Sequence, residues 1–184
     1  MSNFRFGAAS FDETYVYGAQ RPGYPSSRAI SDDAVATWSE YMRQRGVKRV
    51  CCLLEDQLAC YDSDLLAAYR RFFGEEAVCW APIKDFTLAD NKLLTATILP
   101  FLDNSAQKRE SVVVHCSGGI GRTGHVLAAW LVYARNMTNE EALTTVVAMG
   151  RNPYEAEGQE PMGKSNLNAL LDECRDATSR SLHN

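Results

Sequence analysis

The chain has 184 residues, of which 46% are hydrophobic and 23% are charged, and its net charge is −4 with a pI near 5.4. This size predicts one globular domain over residues 1–184 that buries its own core. The acidic balance argues against nucleic acid as a partner. Because no apolar run approaches the roughly 20 residues of a membrane span and the N-terminus has no secretory-signal layout, we expect a cytoplasmic monomer with no membrane partner.

Strand and helix patterns alternate along the chain, which predicts an α/β fold with a mostly parallel central sheet and helices on both faces. Thr87 and Thr138 each precede an acid by three residues, as in a capping box, and so mark two helix starts. The apolar segment "SVVVH" is expected in the centre of the sheet. In chain order, we predict helix 32–45, strand 48–54, helix 64–73, strand 78–81, helix 88–102, strand 111–114 and helices 122–135, 139–149 and 165–176, with loops over 18–27 and 150–165.

The cysteines are expected to be reduced thiols. They lie mostly inside strand-like or helical patterns, and neither a CxxC pair nor a cluster with histidines is present. We therefore expect no metal and no cofactor. The six cysteines are at positions 51, 52, 60, 79, 116 and 174.

The segment "VVVHCSGGIGRTG", residues 112–124, is predicted to be a strand, a tight glycine loop and the first turn of a helix. A helix N-terminus at the carboxyl end of a strand offers unpaired amides to an anion. The glycines allow these amides to turn inward as a cradle for a phosphate, and an arginine adds a planar fork for two of its oxygens. The predicted binding residues are Ser117, Gly118, Gly119, Ile120, Gly121 and Arg122.

Cys116 stands at the start of this loop, facing the amides and the arginine, and we expect it to react as a thiolate nucleophile. His115 is expected to hold the loop through a backbone hydrogen bond. The hydroxyl of Thr123 is spaced to donate to the sulfur of Cys116 and stabilise it as a leaving group. The alternative for Cys116 is a buried apolar cysteine that only ends a strand.

The stretch "HCSGGIGRTG" resembles the His-Cys-x5-Arg-Ser/Thr-Gly signature of the cysteine-based protein tyrosine and dual-specificity phosphatases. The layout of residues 47–90 is similar to that of the compact cyclin-dependent-kinase-associated phosphatases and their small microbial relatives. Long receptor-type domains use a Trp-Pro-Asp loop, which this sequence lacks. The resemblance implies a compact three-layer phosphatase domain that forms a thiophosphate on Cys116.

A phosphate ester also needs an acid to protonate its leaving oxygen. Asp85 is the best candidate, because it falls in the short loop between the predicted strand 78–81 and the next helix. The resemblance agrees, since the small dual-specificity enzymes carry their general acid on a loop of this kind. The alternative for Asp85 is an ordinary exposed turn aspartate. Asp90 is better explained as a helix-capping residue.

Three functions remain open. The first is hydrolysis of phosphotyrosine, and also of phosphoserine or phosphothreonine, in phosphoprotein or phosphopeptide substrates. The second is the same chemistry on a non-protein phosphomonoester, although a loop without lysine disfavours a polyphosphorylated inositol. The third is a catalytically silent phosphate-binding protein, which would have no need for Cys116, Arg122, Thr123 and Asp85 together.

Several other residues have a less specific interpretation. Cys51 and Cys52 are candidates for a protective disulfide with Cys116 on oxidation, because their strand is expected beside the loop. Basic residues near the predicted pocket are interpreted first as solvated surface charges. These basic residues are Arg21, Arg28, Lys84, Arg151 and Lys164.

Overall fold

A five-stranded sheet forms the middle of the molecule. The structure is a computed structural model and describes residues 3–157 and 163–181. The strand order is β1-β2-β5-β3-β4, in which β1 is antiparallel to β2 and the other neighbours are parallel. This arrangement confirms the predicted α/β class. The strands are β1 (Gly7–Ala8), β2 (Val16–Gln20), β3 (Val47–Cys52), β4 (Val78–Trp80) and β5 (Ser111–Cys116).

The central strand is β5, as predicted from its valine-rich sequence, and it is buried over 112–116. Successive residues of a strand point to opposite faces of a sheet. Val113 accordingly joins one hydrophobic core, whereas Val112 and Val114 join the other. A strand that contributes side chains to two hydrophobic cores must be apolar on both faces. Such strands are typical of a parallel sheet covered by helices on both sides.

Helices cover both faces. On the Val113 face, α1 (Asp32–Gln44) contributes Trp38 and α2 (Leu65–Phe73) contributes Tyr69. The other face carries a group of helices around α5, which is buried over most of its length because it packs against the sheet, α4, α6 and α7. Among the helices described, none is long and apolar enough to cross a membrane. The second group comprises α3 (Asn91–Leu93), a π-helical segment (Leu94–Ile98), α4 (Leu99–Gln107), α5 (Gly121–Arg135), α6 (Asn139–Ala148) and α7 (Gly163–Ser181).

The N-terminal strands were not predicted. Residues 18–20 were assigned to a loop, but they form the end of β2, which lies directly beside β5. Gly18 and Ala19 have low strand propensity, and the β2 segment is only five residues long, so its pattern alone gives a weak signal. Position in the sheet, between β1 and β5, decides its conformation.

The helix predicted over 88–102 begins later and ends later. Asp90 is its N-cap and accepts hydrogen bonds from the amides of Lys92 and Leu93. The expected capping role of Thr87 is wrong, because its hydroxyl donates to the carbonyl of Lys84 within the preceding turn. By contrast, Thr138 forms the predicted capping box with Glu141 at the start of α6.

Candidate active site

The segment from Cys116 to Arg122, here called the signature loop, leaves the carboxyl end of β5 and enters α5 at Gly121. Its neighbours in the sheet are β2, where Gln20 pairs with Cys116, and β3, where Cys52 pairs with His115. The N-terminus of the 15-residue helix α5 therefore opens at the carboxyl edge of the parallel strands. This is where α/β proteins bind anionic ligands.

A cavity of about 180 Å³ opens above this edge. Its lining includes most of the signature loop together with residues from three other segments. Cys116 is 3% exposed, so its thiol is nearly buried. The lining residues are Tyr24, Asp85, Phe86, Cys116, Ser117, Gly118, Ile120, Gly121, Arg122, Glu155 and Ala156.

The guanidinium of Arg122 is buried and held from the β4–α3 loop, residues 81–90. Its Nη1 donates to the carbonyl of Ile83 at 2.9 Å. Its Nη2 lies 3.0 Å from Oδ1 of Asp85, an ion pair that is not aligned as a hydrogen bond. The two residues that the sequence assigned to anion binding and proton donation are thus brought together.

Asp85 lies at the mouth of the cavity with 43% of its side chain exposed. Its Oδ1 also accepts from the amide of Phe86 at 3.2 Å. Gln57 bridges the ion pair: its Nε2 donates to Oδ2 of Asp85 at 3.3 Å, and its Oε1 accepts from Nη1 of Arg122 at 3.4 Å. The sequence did not single out Gln57, because its part in the site depends on the 3-10 helix Asp56–Cys60 folding over the cavity.

His115 lies directly beneath the loop and is completely buried. Its Nδ1 is 3.3 Å from the carbonyl oxygen of Cys116, and its Nε2 is 3.1 Å from the hydroxyl of Tyr69. Since a carbonyl only accepts, Nδ1 carries the proton and Tyr69 donates to Nε2. Burial lowers the pKa of His115 to about 3, so the ring is neutral at physiological pH. This contact is the kind of backbone hydrogen bond that the sequence predicted for His115.

Thr123 occupies an early position of α5 and is fully buried. Its methyl group faces β2, since a Cβ built on Gly18 would meet that methyl at 2.8 Å. Its hydroxyl has no hydrogen-bond partner among the residues that the structure describes. Donation from Thr123 to the sulfur of Cys116 therefore stays a prediction.

Two arginines interpreted as surface charges are buried instead. Arg21 is 2% exposed, and its Nε donates to the hydroxyl of Ser117 at 3.1 Å. The backbone amide of Arg21 also donates to the carbonyl of Ser117. Arg151 is 3% exposed and donates to the carbonyl of Gly119. Both guanidiniums find most of their partners among backbone carbonyls, which a sequence pattern does not reveal.

The remaining basic residues fit the earlier interpretation where the structure describes them. Lys84 and Arg28 are exposed. The side chain of Lys164 lies outside the described part of the chain.

His125 is a second buried histidine that the sequence did not single out. Its Nε2 accepts a hydrogen bond from the amide of Ala89 at 3.1 Å, so it ties α5 to the end of the β4–α3 loop. Burial lowers the pKa of His125 to about 4, which keeps the ring neutral and able to accept. Its position one helical turn after Gly121 is visible in the sequence, but its partner in another segment is not.

Cys51 and Cys52 lie on opposite faces of the sheet, in the two different cores. The thiol of Cys51 is hydrogen-bonded to that of Cys79 on β4, and this contact and burial raise its pKa. Burial raises the pKa of Cys52 to about 12. Both are neutral thiols at physiological pH, and the hydrogen-bond partner of Cys51 is Cys79. A disulfide with Cys116 stays a prediction.

A family model described as "Tc-R-P: Polymorphic toxin system, DSP-PTPase phosphatase" matches residues 22–136, which is more than half of the chain. The chain belongs to this phosphatase family. The match includes the signature loop, the β4–α3 loop and α5, and it confirms the resemblance drawn from "HCSGGIGRTG".

Curated relatives match over shorter stretches. The protein tyrosine phosphatase domain-containing protein 1 of Mus musculus is 41% identical over 54 residues, which are 29% of this chain and 7% of the mouse protein. Its counterpart in Danio rerio is 32% identical over 76 residues, or 41% of this chain and 10% of the fish protein. The chain thus spans a small part of the length of these relatives.

Solved structures match nearly the whole chain. Tk-PTP in its active form is 25% identical with a TM-score of 0.66, and the match covers 91% of this chain and 95% of that one. Kinase associated phosphatase is 19% identical with a TM-score of 0.67, covering 89% and 87%. PTPMT1 is 16% identical with a TM-score of 0.68, covering 97% and 99%, and a complex of it with PI(5)P also matches. The last two likenesses show the fold.

Proposed function

We propose that this chain is a cysteine-dependent phosphomonoesterase that acts on phosphotyrosine, and also on phosphoserine and phosphothreonine, in proteins. The observation that carries the proposal is the 3.0 Å ion pair between Arg122 and Asp85 at a cavity that Cys116 also lines. A nucleophile, an oxyanion-binding fork and a proton donor thus share one small cavity. The proposal treats residues 1–184 as one phosphatase domain acting in the cytoplasm, where thiols stay reduced.

In the first step, the thiolate of Cys116 attacks the phosphorus of the bound ester. The S–P bond forms as the P–O ester bond breaks, and the electron pair of that bond goes to the leaving oxygen. Asp85 gives its proton to this oxygen, so that an alcohol or phenol departs. The loop amides and Arg122 hold the other phosphate oxygens and stabilise their charge in the transition state.

In the second step, the Asp85 carboxylate takes a proton from water, and the resulting oxygen attacks the thiophosphate. The new O–P bond replaces the S–P bond, inorganic phosphate leaves, and Cys116 returns to its thiolate. A hydrogen bond from Thr123 to the departing sulfur would favour this step. His115 remains neutral and contributes by fixing the carbonyl of Cys116.

The ion pair also indicates the order of events. Asp85 occupies one prong of Arg122, which the phosphate needs for a two-pronged contact. The arriving dianion therefore displaces Asp85, whose carboxylate takes a proton from solvent once it leaves the positive charge of Arg122. Its half-exposed side chain is then free to turn toward the leaving oxygen. Binding of the substrate thereby moves the acid away from the arginine and toward the ester.

The composition of the cavity favours a substrate with one phosphate on an aromatic ring. Tyr24 and Phe86 both line it, and both are partly exposed. Among its described lining residues Arg122 is the one basic side chain, whereas Asp85 and Glu155 are both acidic. A second phosphate on the substrate would lie near these carboxylates and be repelled.

The second candidate is a non-protein phosphomonoester. The match with PTPMT1, whose structure includes a complex with PI(5)P, favours keeping a singly phosphorylated lipid headgroup as this candidate. Its phosphate would use the same loop and arginine. The two candidates differ in what surrounds the phosphate, which a panel of substrates can distinguish.

The test is to measure kcat/KM for matched peptides carrying phosphotyrosine, phosphoserine or phosphothreonine and for PI(5)P in vesicles, using the wild type and Cys116→Ser. We expect the phosphotyrosine peptide to be hydrolysed best. Cys116→Ser should abolish turnover yet still bind vanadate, because the amides and Arg122 are unchanged.

Each outcome bears on a different part of the proposal. Preferred hydrolysis of PI(5)P would overturn the protein substrate in favour of the second candidate. Vanadate binding by the wild type with no turnover of any ester would indicate a phosphate-binding protein. Steady-state turnover by Cys116→Ser would require a different nucleophile.

A further inference from the structure

Arg151 connects three segments of the chain from a buried position behind the signature loop. Gly150, with a φ of +80°, turns the chain after α6, and the arginine that follows points inward and is 3% exposed. Its guanidinium donates to the carbonyl of Gly119, to that of Gly18 at 2.8 Å and to that of Arg5 at 2.8 Å. One side chain thus holds the loop, the adjacent strand β2 and the N-terminal segment together.

Two glycines lie against the side chain of Arg151, Gly18 at its guanidinium and Gly124 at its Cβ. A Cβ on Gly18 would come within 3.0 Å of Nη2 of Arg151 and within 2.8 Å of a methyl of Thr123. A Cβ on Gly124 would lie 3.2 Å from the Cβ of Arg151. Gly18 is in a strand and has no turn to make, so its absent side chain is explained by the close approach of Thr123, Leu127 and Arg151 together.

Gly119 has a φ of +71°, and its carbonyl is directed to Arg151 rather than to the cavity. In a trans peptide group the carbonyl and the amide point in opposite directions. The amide that shares a peptide group with the Gly119 carbonyl therefore points away from Arg151. The hydrogen bond from Arg151 therefore fixes the orientation of a peptide in the loop that would bind the phosphate.

The charge of Arg151 has no carboxylate partner among the residues described, since its hydrogen-bond acceptors there are three backbone carbonyls. Burying an unpaired charge is costly. Burial lowers the pKa of Arg151 to about 10, which leaves it protonated at neutral pH, and the charge of the Cys116 thiolate acts in the opposite direction. A negative charge on Cys116 or on a bound oxyanion would therefore offset part of this cost.

We propose that Arg151 is a positioning residue of the phosphate site, which orients the Gly119 peptide and whose buried charge stabilises the Cys116 thiolate and the bound oxyanion. The inference rests on the proposed function only for the nature of the anion. Arg151 has no contact with the substrate in this proposal. It acts on the site through its hydrogen bond to Gly119 and through the electrostatic field of its charge.

The test compares Arg151→Met with Arg49→Met. Arg49 is the matched control because it is also buried, at 6% exposed, and it donates to Asn104 at 2.7 Å and to the carbonyl of Glu76, away from the cavity. Vanadate affinity is measured first, followed by the rate at which iodoacetamide alkylates Cys116 as a function of pH. Neither measurement requires turnover.

For Arg151→Met we expect vanadate affinity to fall roughly tenfold or more, and the midpoint of the alkylation profile to rise by roughly one pH unit. Arg49→Met should change neither. Arg151→Lys keeps the charge without the forked donors, so it should restore the midpoint while the affinity stays low. Equal changes in Arg151→Met and Arg49→Met, or unchanged affinity in Arg151→Met, would overturn the proposal.

If Arg151→Met does not fold, Arg151→Lys decides the question alone, and wild-type affinity in that variant would refute the positioning role. A wild-type chain that binds vanadate but hydrolyses no ester would contradict the proposed function and leave this inference intact. A wild-type chain that binds no oxyanion would contradict both.

Discussion

The signature loop and the β4–α3 loop face the same cavity but are held in place differently. The signature loop is fixed from the interior: His115, Arg21 and Arg151, all buried, bond to it from three directions. The β4–α3 loop is fixed at both ends. Ile83 near its start is buried and bonded to Leu53 and Arg122, and Ala89 at its end is bonded to His125. Asp85 and Phe86 near its middle are exposed.

This difference matches what each loop would have to do. A cradle for an oxyanion works best when its dipoles are already oriented before the substrate arrives. If Asp85 is the acid, it must leave Arg122 when the phosphate takes its place, and an exposed segment with few interior contacts moves at low cost. The first loop is therefore built for rigidity and the second for a small displacement.

The largest expected effect comes from replacing Asp85, the proposed acid. Asp85→Asn should slow hydrolysis of phosphotyrosine by about 10² to 10⁴-fold, whereas an aryl phosphate with a very acidic phenol should slow much less, since that phenolate leaves unprotonated. Oxyanion affinity should be equal to the wild type or tighter, because a neutral amide competes less for Arg122. Steady-state kinetics with both substrates and vanadate binding measure this.

Asp90→Ala is the control for this variant. It removes the N-cap of α3 and should cost about 1 kcal/mol of stability without any dependence on the leaving group. If Asp85→Asn slowed both substrates by one common factor, the acid would have to be another residue.

The rigidity of the signature loop can be tested at Gly119. An alanine Cβ there would lie 2.5 Å from the backbone carbonyl of Ala19, and the φ of +71° adds strain. Gly46 also has a positive φ, of +80°, but a Cβ there would meet no atom within 4 Å. Gly119→Ala should therefore lower the free energy of unfolding by roughly 1 to 3 kcal/mol more than Gly46→Ala does. Urea denaturation compares the two, and equal losses would mean that the loop yields easily.

The smallest effect concerns the two neutral histidines. Their folded-state pKa values of about 3 for His115 and about 4 for His125 lie below the ordinary 6.5. The unfolded chain therefore binds more protons, so their stabilisation is complete above pH 6.5 and is lost as the pH falls toward 4 and then 3. Each contributes a slope of up to about 1.4 kcal/mol per pH unit.

His125→Gln isolates one of these contributions. Unfolding at several pH values between 7 and 5 should show a slope that is smaller by about that amount, because an amide oxygen can still accept from Ala89 without titrating. An identical slope in the variant would show that His125 does not bind a proton on unfolding. Hydrogen exchange at the Ala89 amide should also accelerate in the wild type as the pH falls, relative to the intrinsic rate.

The sequence predicted the part of the site that is contiguous. Cys116 and Arg122 are separated by a loop whose spacing already implies their geometry, and Asp85 was expected near them from its place after a strand, where the structure has it paired with Arg122. Gln57 and His125 were missed because their partners lie in other segments. Arg21 and Arg151 were misinterpreted because the chemistry that buries them, donation to backbone carbonyls, involves no particular residue type as acceptor. Strand β2 was missed because its local pattern is weak. Its backbone pairing with β5, which involves no particular residue type, determines its conformation.

Arg151 and Gly18 both lie outside residues 22–136, the stretch shared with the family model. A fragment cut at those limits would keep every letter of "HCSGGIGRTG" yet lack β2 and the guanidinium behind the loop. Anyone transplanting this motif into another scaffold, or shortening the protein for engineering, should therefore carry over residues 16–21 and 150–156 as well. The signature loop depends on contacts from segments that precede and follow it in the chain, so the sequence motif alone does not contain the whole site.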